Sequence, residues 1–228
     1  MNSKSNYLEY SDDFTSTELN SDFWSTKRIL DGRWQITEDI APPRGRALQV
    51  SVHPGDLAET RAQKPSTERA ELSERSDKLV PSGVDVWYAF SLFIPEDFRI
   101  TDNRLVFAQW KQEGSKRSPA LALRCQNGKI IFSIESNEKR LLYPTETAQK
   151  TVWHRLMVHH HINENHQGTC EAFLDGVSFA SFTGSIGHPD DPVTAYFKMG
   201  LYRDHVEYID TLYFANFRRG LSREFCES

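Results

Sequence analysis

Tyr196, Lys198 and Tyr202 recur at even spacing in Tyr196-Phe197-Lys198-Met199-Gly200-Leu201-Tyr202. On an extended strand they share one face with Gly200, while Ala195, Phe197, Met199 and Leu201 share the other. Two phenols and an amine in a row suggest a surface that grips a ligand, and a glycine among them would let that ligand approach the backbone. An ordinary outer face is the competing reading, because Tyr is a good strand former and Lys a common edge residue. Three further stretches carry polar residues opposite their apolar ones: Arg69 and Glu71, Gln109 and Lys111, and His159 and His161. If the four strands are neighbours, a groove forms with cationic, amide and phenolic walls. Arg holds a carboxylate bidentately and Gln donates to one, so the ligand would be a polyanion bearing carboxylates.

Other chemistries fit less well. His159-His160-His161 suggests a metal, but alternation puts His160 opposite its neighbours, and no third ligand sits at a telling spacing. Glycoside hydrolysis needs two carboxylates about 5–10 Å apart, and Glu68, Glu71 and Glu74 have a helical rather than an alternating spacing. The run Glu68-Arg69…Glu71…Glu74-Arg75 reads by default as a solvated edge. His53 stands at a strand end before Pro54-Gly55-Asp56, where it would either enter a groove mouth or bond the turn.

These residues need strands to hold them. The 228 residues include 14 Phe, 8 Tyr and 5 Trp, and 38% of the chain is hydrophobic. That is enough for a sizeable core in one domain, here taken as 1–228 with 1–9 a flexible leader. Strands are expected at Trp34–Ile36, Ala47–Val52, Glu68–Ser73, Val86–Ile94 (buried on both faces) and Leu105–Gln112. The last alternates as Phe107, Gln109 and Lys111 against Val106, Ala108 and Trp110. Asn127-Gly128 joins Ala120–Cys125 to Lys129–Glu135, and Asp175-Gly176 joins Thr169–Leu174 to Val177–Phe182, both as hairpins. Trp153–Ile162 and Tyr208–Phe217 complete the set. Pro42, Pro43 and Gly45 mark a turn, and residues 57–68 read as irregular. Tyr10 to Trp24 reads as a loop tucking aromatics under a sheet. With no convincing helix of ten residues, the pattern predicts an all-β jelly-roll sandwich of two antiparallel sheets.

A formal net charge of −5 argues against a nucleic-acid partner. Cys125, Cys170 and Cys226 are odd in number and widely spaced, which leaves at most one disulfide and no zinc ribbon. No stretch approaches the ~20 apolar residues of a membrane-spanning helix, so no membrane partner is expected. Residues 1–22 hold no apolar stretch of the secretory type, and the compartment is left open.

Arg69-Ala70-Glu71-Leu72, Gln109-Trp110-Lys111 and Tyr196 to Tyr202 occur in the order seen in jelly-roll polysaccharide lyases. The third stretch resembles the signature strand of alginate lyases. Alginate lyases, however, place a His where this chain has Lys111. With Val52-His53-Pro54-Gly55-Asp56 and Ser91-Leu92-Phe93-Ile94-Pro95, the chain looks closer to the glucuronan lyase and heparin lyase group. The resemblance implies β-elimination on a uronic-acid polymer, β-1,4-glucuronan first, by a monomer acting outside the cell or in the periplasm. It implies Tyr202 as acid, the same Tyr or a His as base, and Arg69 and Gln109 as the carboxylate clamp. His53 is the candidate base, with His159 in reserve. Lys111, Tyr196 and Lys198 would bind flanking uronates, and Glu71 would orient Arg69. One structural Ca²⁺ is also implied, at Asp210 with backbone oxygens of the N-terminal acidic loop. The alternative from another class is a non-catalytic carbohydrate-binding module on the same fold.

Overall fold

The computed structural model describes residues 8–38, 45–61 and 64–228. The turn expected at Pro42 and Pro43 lies outside them, as do residues 1–7 of the expected leader. Leu8 is buried in the core, so the leader's end belongs to the folded body.

In chain order the strands begin with β1 (Tyr10–Asp12), β2 (Trp24–Arg28), β3 (Trp34–Glu38), β4 (Arg46–Val52), β5 (Glu59–Arg61) and β6 (Lys64–Glu74). Next come β7 (Val86–Phe93), β8 (Leu105–Gln112), β9 (Leu121–Gln126), β10 (Lys129–Ser136) and β11 (Lys139–Thr147). The chain finishes with β12 (Trp153–Ile162), β13 (Gln167–Leu174), β14 (Val177–Ser185), β15 (Ala195–Asp204), β16 (Asp210–Gly220) and the short helix α1 (Arg223–Glu227). They form two eight-stranded sheets. The first runs β14-β13-β12-β7-β16-β4-β3 with β1 on β16, and the second β11-β10-β9-β8-β15-β6-β2 with β5 on β6. This is the expected jelly-roll sandwich. No helix among the described residues is long and apolar enough to cross a membrane.

Alternation explains the core. Phe197, Met199 and Leu201 of β15 meet Phe90 of β7 and Phe214 of β16 between the sheets, each almost wholly buried. β7 is buried on both faces, as expected, because its outer side lies under Met157, Phe173 and Cys226 beside α1. All three cysteines are free and buried. Asn127-Gly128 and Asp175-Gly176 adopt paired positive φ angles, as tight hairpins require. A third such turn, Asn137-Glu138, lacks a glycine and carries edge strand β11 with Pro144 inside it.

One break in alternation and one unexpected burial matter for the outer face of the second sheet. Phe107 is an extra residue where β8 pairs β9, since Val106 faces Arg124 but Ala108 faces Leu123. One extra residue reverses the faces before it. Val106 therefore lies on the groove side and Phe107 in the core, the opposite of the expected assignment. The charge run on β6 is no solvated edge either. Glu68 and Glu74 point into the sandwich at opposite ends of its apolar interior, where Arg203 of β15 and Arg219 of β16 meet them at 2.8 Å.

Candidate active-site groove

Three of the four expected strands are neighbours, in the order β8-β15-β6. Register aligns Arg69 with Tyr202, Tyr202 with Val106, and Val106 with Arg124, making one row across β6, β15, β8 and β9. Lys198 pairs with Gln109, and Tyr196 with Lys111, in the rows behind it. Together they line a groove of about 570 Å³. Tyr196 and Arg28 also border an adjoining cavity of about 460 Å³, so the trough continues past them toward β2.

Glu71 anchors the groove floor from below. It is only 2% exposed. Its Oε1 accepts from the Gln109 amide, while Oε2 lies 3.5 Å from Arg69 Nε and 3.8 Å from Lys198 Nζ. Arg69 is held a second time by Glu59 at 2.8 Å. Burial lowers the pKa of Lys198; Glu71 opposes that effect, and Arg28 and Arg69 add to it. Burial likewise raises the pKa of Tyr196, against the nearby Arg28 charge. Glu71 thus orients the expected clamp of Arg69 and Gln109 rather than facing ligand itself.

Tyr202 sits between two cations. The Arg69 and Arg104 guanidinium carbons lie 4.8 Å and 5.0 Å from its ring centroid, and its hydroxyl donates to Thr67 Oγ1 at 3.3 Å. Burial works against the charge on Arg104, but Asp204 at 2.5 Å more than offsets it and the pKa is raised. The loop after β8 closes one wall, where Lys111 Nζ donates to the Arg117 carbonyl and Ser115 Oγ donates to Asp191 at 2.6 Å.

The groove's charge is opposite to that of the chain. Nine basic side chains line it against one carboxylate, Glu59, although the whole protein carries −5. A polyanion is therefore drawn to this face and not to the rest of the surface.

Four expectations fail here. His159 projects from β12 in the other sheet, stacked on Trp87 at 4.5 Å and bonded to Asp85 at 3.0 Å. His53 follows β4, also in the other sheet, and does not line the groove; its amide donates to Asp56 Oδ2, as a turn residue's would. The turn does support the site, because Asp56 O accepts from the Arg69 amide. Asp210 ion-pairs with Arg203 at 2.6 Å. The acidic loop meant to help it bind calcium meets β16 at Phe217, roughly 20 Å along the strand at ~3.3 Å per residue. Arg203, shared with Glu68, occupies Asp210 Oδ2, and although Asp210 Oδ1 is buried without a partner, no group of three or more His, Cys, Asp or Glu among the described residues is placed to hold a metal. Lastly, Gly200 makes room for the neighbouring strand and not for a ligand: a Cβ there would stand 2.3 Å from Ala70 O, at φ 141°.

Arg28, Arg104, Arg124 and Arg140 line the groove unforeseen. Arg124 was the most accessible to reasoning, since alternation on Ala120–Cys125 sets Ala122 and Arg124 on one face. Arg104 precedes the start of β8, where period gives no face, and Arg140 lies on β11, a strand the sequence pattern did not show.

The polysaccharide lyase family model matches residues 13–218. No curated protein sequence matches the chain. Among solved structures, endo-β-1,4-glucuronan lyase from the fungus Trichoderma reesei superposes with a TM-score of 0.70 at 15% identity, covering 93% of this chain and 95% of that one. The cellulose-induced protein Cip1 gives 0.64 at 14% identity over 94% and 98%. Alginate lyase AlgAT5, of polysaccharide lyase family 7, gives 0.59 at 13% identity over 85% and 84%. At these identities the likeness is one of fold.

Proposed function

Because this chain belongs to the polysaccharide lyase family, matched over residues 13–218, we propose that it cleaves β-1,4-glucuronan by β-elimination, with Tyr202 as both base and acid. The observation that carries this reading is Tyr202 itself, set beside the Arg69 and Gln109 clamp in a groove with nine basic residues and one carboxylate.

The chemistry accounts for each residue. Arg69 and Gln109 bind the C6 carboxylate and stabilise the charge that grows on it as the C5 proton leaves. The Tyr202 oxygen takes that proton. The C5–H electrons form the C4=C5 double bond, the C4–O4 bond breaks, and O4 receives a proton from Tyr202. No histidine lines the groove among the described residues, so neither His53 nor His159 enters the scheme. One residue serving both ends requires the C5 hydrogen and O4 on the same face of the sugar. Glucuronate and mannuronate meet that condition and guluronate does not. The T. reesei enzyme's likeness in fold favours glucuronan of the two.

The test is the ultraviolet absorbance of the unsaturated product on glucuronan, polymannuronate, polyguluronate and heparin. Absorbance should rise fastest with glucuronan, and Tyr202→Phe should lower kcat by at least ~100-fold, as loss of proton transfer does, while oligosaccharide binding persists. Fastest turnover on polyguluronate, or a Tyr202→Phe enzyme near wild-type rate, would refute the scheme.

A further inference from the structure

Arg124 is a cation without an anion. It is 6% exposed at the groove floor, and its Nε donates to Ser133 Oγ at 2.8 Å. No described side chain bonds its terminal nitrogens, and no described carboxylate lies within ion-pair distance of it. The two arginines around it are already neutralised, Arg104 by Asp204 and Arg140 by Glu135, each at 2.5 Å. Burial, then the Arg140 and Arg104 charges, pull the Arg124 pKa down to about 10. A desolvated guanidinium left unpaired is costly, and a bound anion would relieve that cost.

Its place in the register gives the anion an identity. Arg69, Tyr202, Val106 and Arg124 lie in one row on four adjacent strands. At ~4.8 Å per strand, the outer two Cα atoms are about 14 Å apart, more than one sugar ring. Within that row Arg69 stands on one side of Tyr202 and Arg124 on the other, while Gln109 of the clamp lies on β8 in the row of Lys198 behind it. We infer that Arg124 is a second carboxylate site, which holds the uronate across the scissile bond from the one clamped by Arg69 and Gln109. The substrate is then a polymer with an acid group on consecutive sugars, not on every second sugar. This rests on the polyuronate reading of the groove and adds the spacing of its charges.

Titration in the Tyr202→Phe background tests it, with oligoglucuronate (an acid on every sugar) and hyaluronan oligosaccharides (an acid on every second sugar). A hydrogen bond to a charged partner contributes about 1.5–3 kcal/mol, so Arg124→Gln should weaken oligoglucuronate binding about 10- to 100-fold. Hyaluronan binding should change less than about threefold. In otherwise wild-type enzyme, Arg124→Gln should raise KM for glucuronan by a similar factor with far less effect on kcat. Arg124→Lys keeps the charge and loses the bidentate fork, so it should still bind oligoglucuronate several-fold more weakly; it is the variant to use if Arg124→Gln fails to fold. Equal losses on both oligosaccharides would mean general attraction and overturn the proposal. So would wild-type affinity in either variant, a dependence seen only with sulfated heparin oligosaccharides, or no oligoglucuronate binding in the Tyr202→Phe background. Binding without an unsaturated product from wild-type enzyme would defeat the elimination scheme alone and leave the Arg124 comparison readable.

Discussion

Replacing Glu71 with Gln removes one charge from under the groove and keeps the shape. Lys198 would lose its carboxylate at 3.8 Å while staying 4% exposed. At an effective dielectric of ~20, Coulomb's law gives about 4 kcal/mol at that distance. Breaking a buried pair by removing one partner falls in the same range, about 3–5 kcal/mol. The Gln side chain can still accept from the Gln109 amide, a bond worth about 1 kcal/mol, and Arg69 still has Glu59. With those contacts kept, the expected loss is that of the Lys198 pair alone, about 3–5 kcal/mol, read by urea unfolding at neutral pH. Two further readings separate this cause from general damage. Glu71→Gln/Lys198→Met should be less destabilised than the two single changes added together, because they share one interaction. The single variant should also recover as pH rises toward the lysine range. Its unpartnered Lys198 binds a proton less readily folded than unfolded, so stability increases with pH there. Lyase turnover should fall as Arg69 and Gln109 lose a common anchor. A Glu71→Gln protein within about 0.5 kcal/mol of wild type, or strict additivity in the double variant, would refute the account.

Two more outcomes follow from buried positions, one of them away from the groove. Burial, then the charges of His159 and His161, lower the His160 pKa to about 3. The unfolded chain therefore takes up this proton near pH 6.5 and the folded one does not, so stability falls as pH drops from 6.5 toward 3. At about 1.4 kcal/mol per pKa unit the full loss is on the order of 5 kcal/mol. Unfolding curves between pH 7 and 4 should show the slope in wild type and a flatter one in His160→Phe; equal slopes would exclude His160 as the cause. Gly200→Ala must move β15 from Ala70 O or abandon φ 141°. A loss of about 3 kcal/mol is expected, which in a chain of this size lowers Tm by roughly 6–12 °C; an unchanged Tm would contradict the close approach.

The sandwich was legible because its long strands alternate cleanly and two hairpins carry Asn-Gly or Asp-Gly. β11 escaped notice because its turn, Asn137-Glu138, reaches positive φ without glycine, and β1, β2 and β5 are too short to show a period. Arg69, Gln109, Lys111, Lys198 and the two tyrosines could be placed on faces by period and joined by resemblance. Strand order could not, which is why His159 was assigned to a groove it turns its back on. The bulge at Phe107 is a matter of how β8 pairs with β9, and no pattern within β8 announces it. Arg104, Arg124 and Arg140 needed the same knowledge of neighbours.

The carboxylates at the two ends of β6 act as a ruler. Sliding β6 by two residues against β15 would keep every side chain on its proper face, so the apolar pattern alone does not forbid it. It would, however, push Glu68 or Glu74 off its arginine and into hydrocarbon, where an unpaired charge is strongly disfavoured. Each end stop blocks one direction of travel. Arg69 and Glu71 ride between them, so the alignment of Arg69 with Tyr202 is set by contacts on the far side of the strand. The groove face can then change its sugar-binding residues over evolutionary time, or in the hands of an engineer, without loosening the alignment on which the chemistry depends.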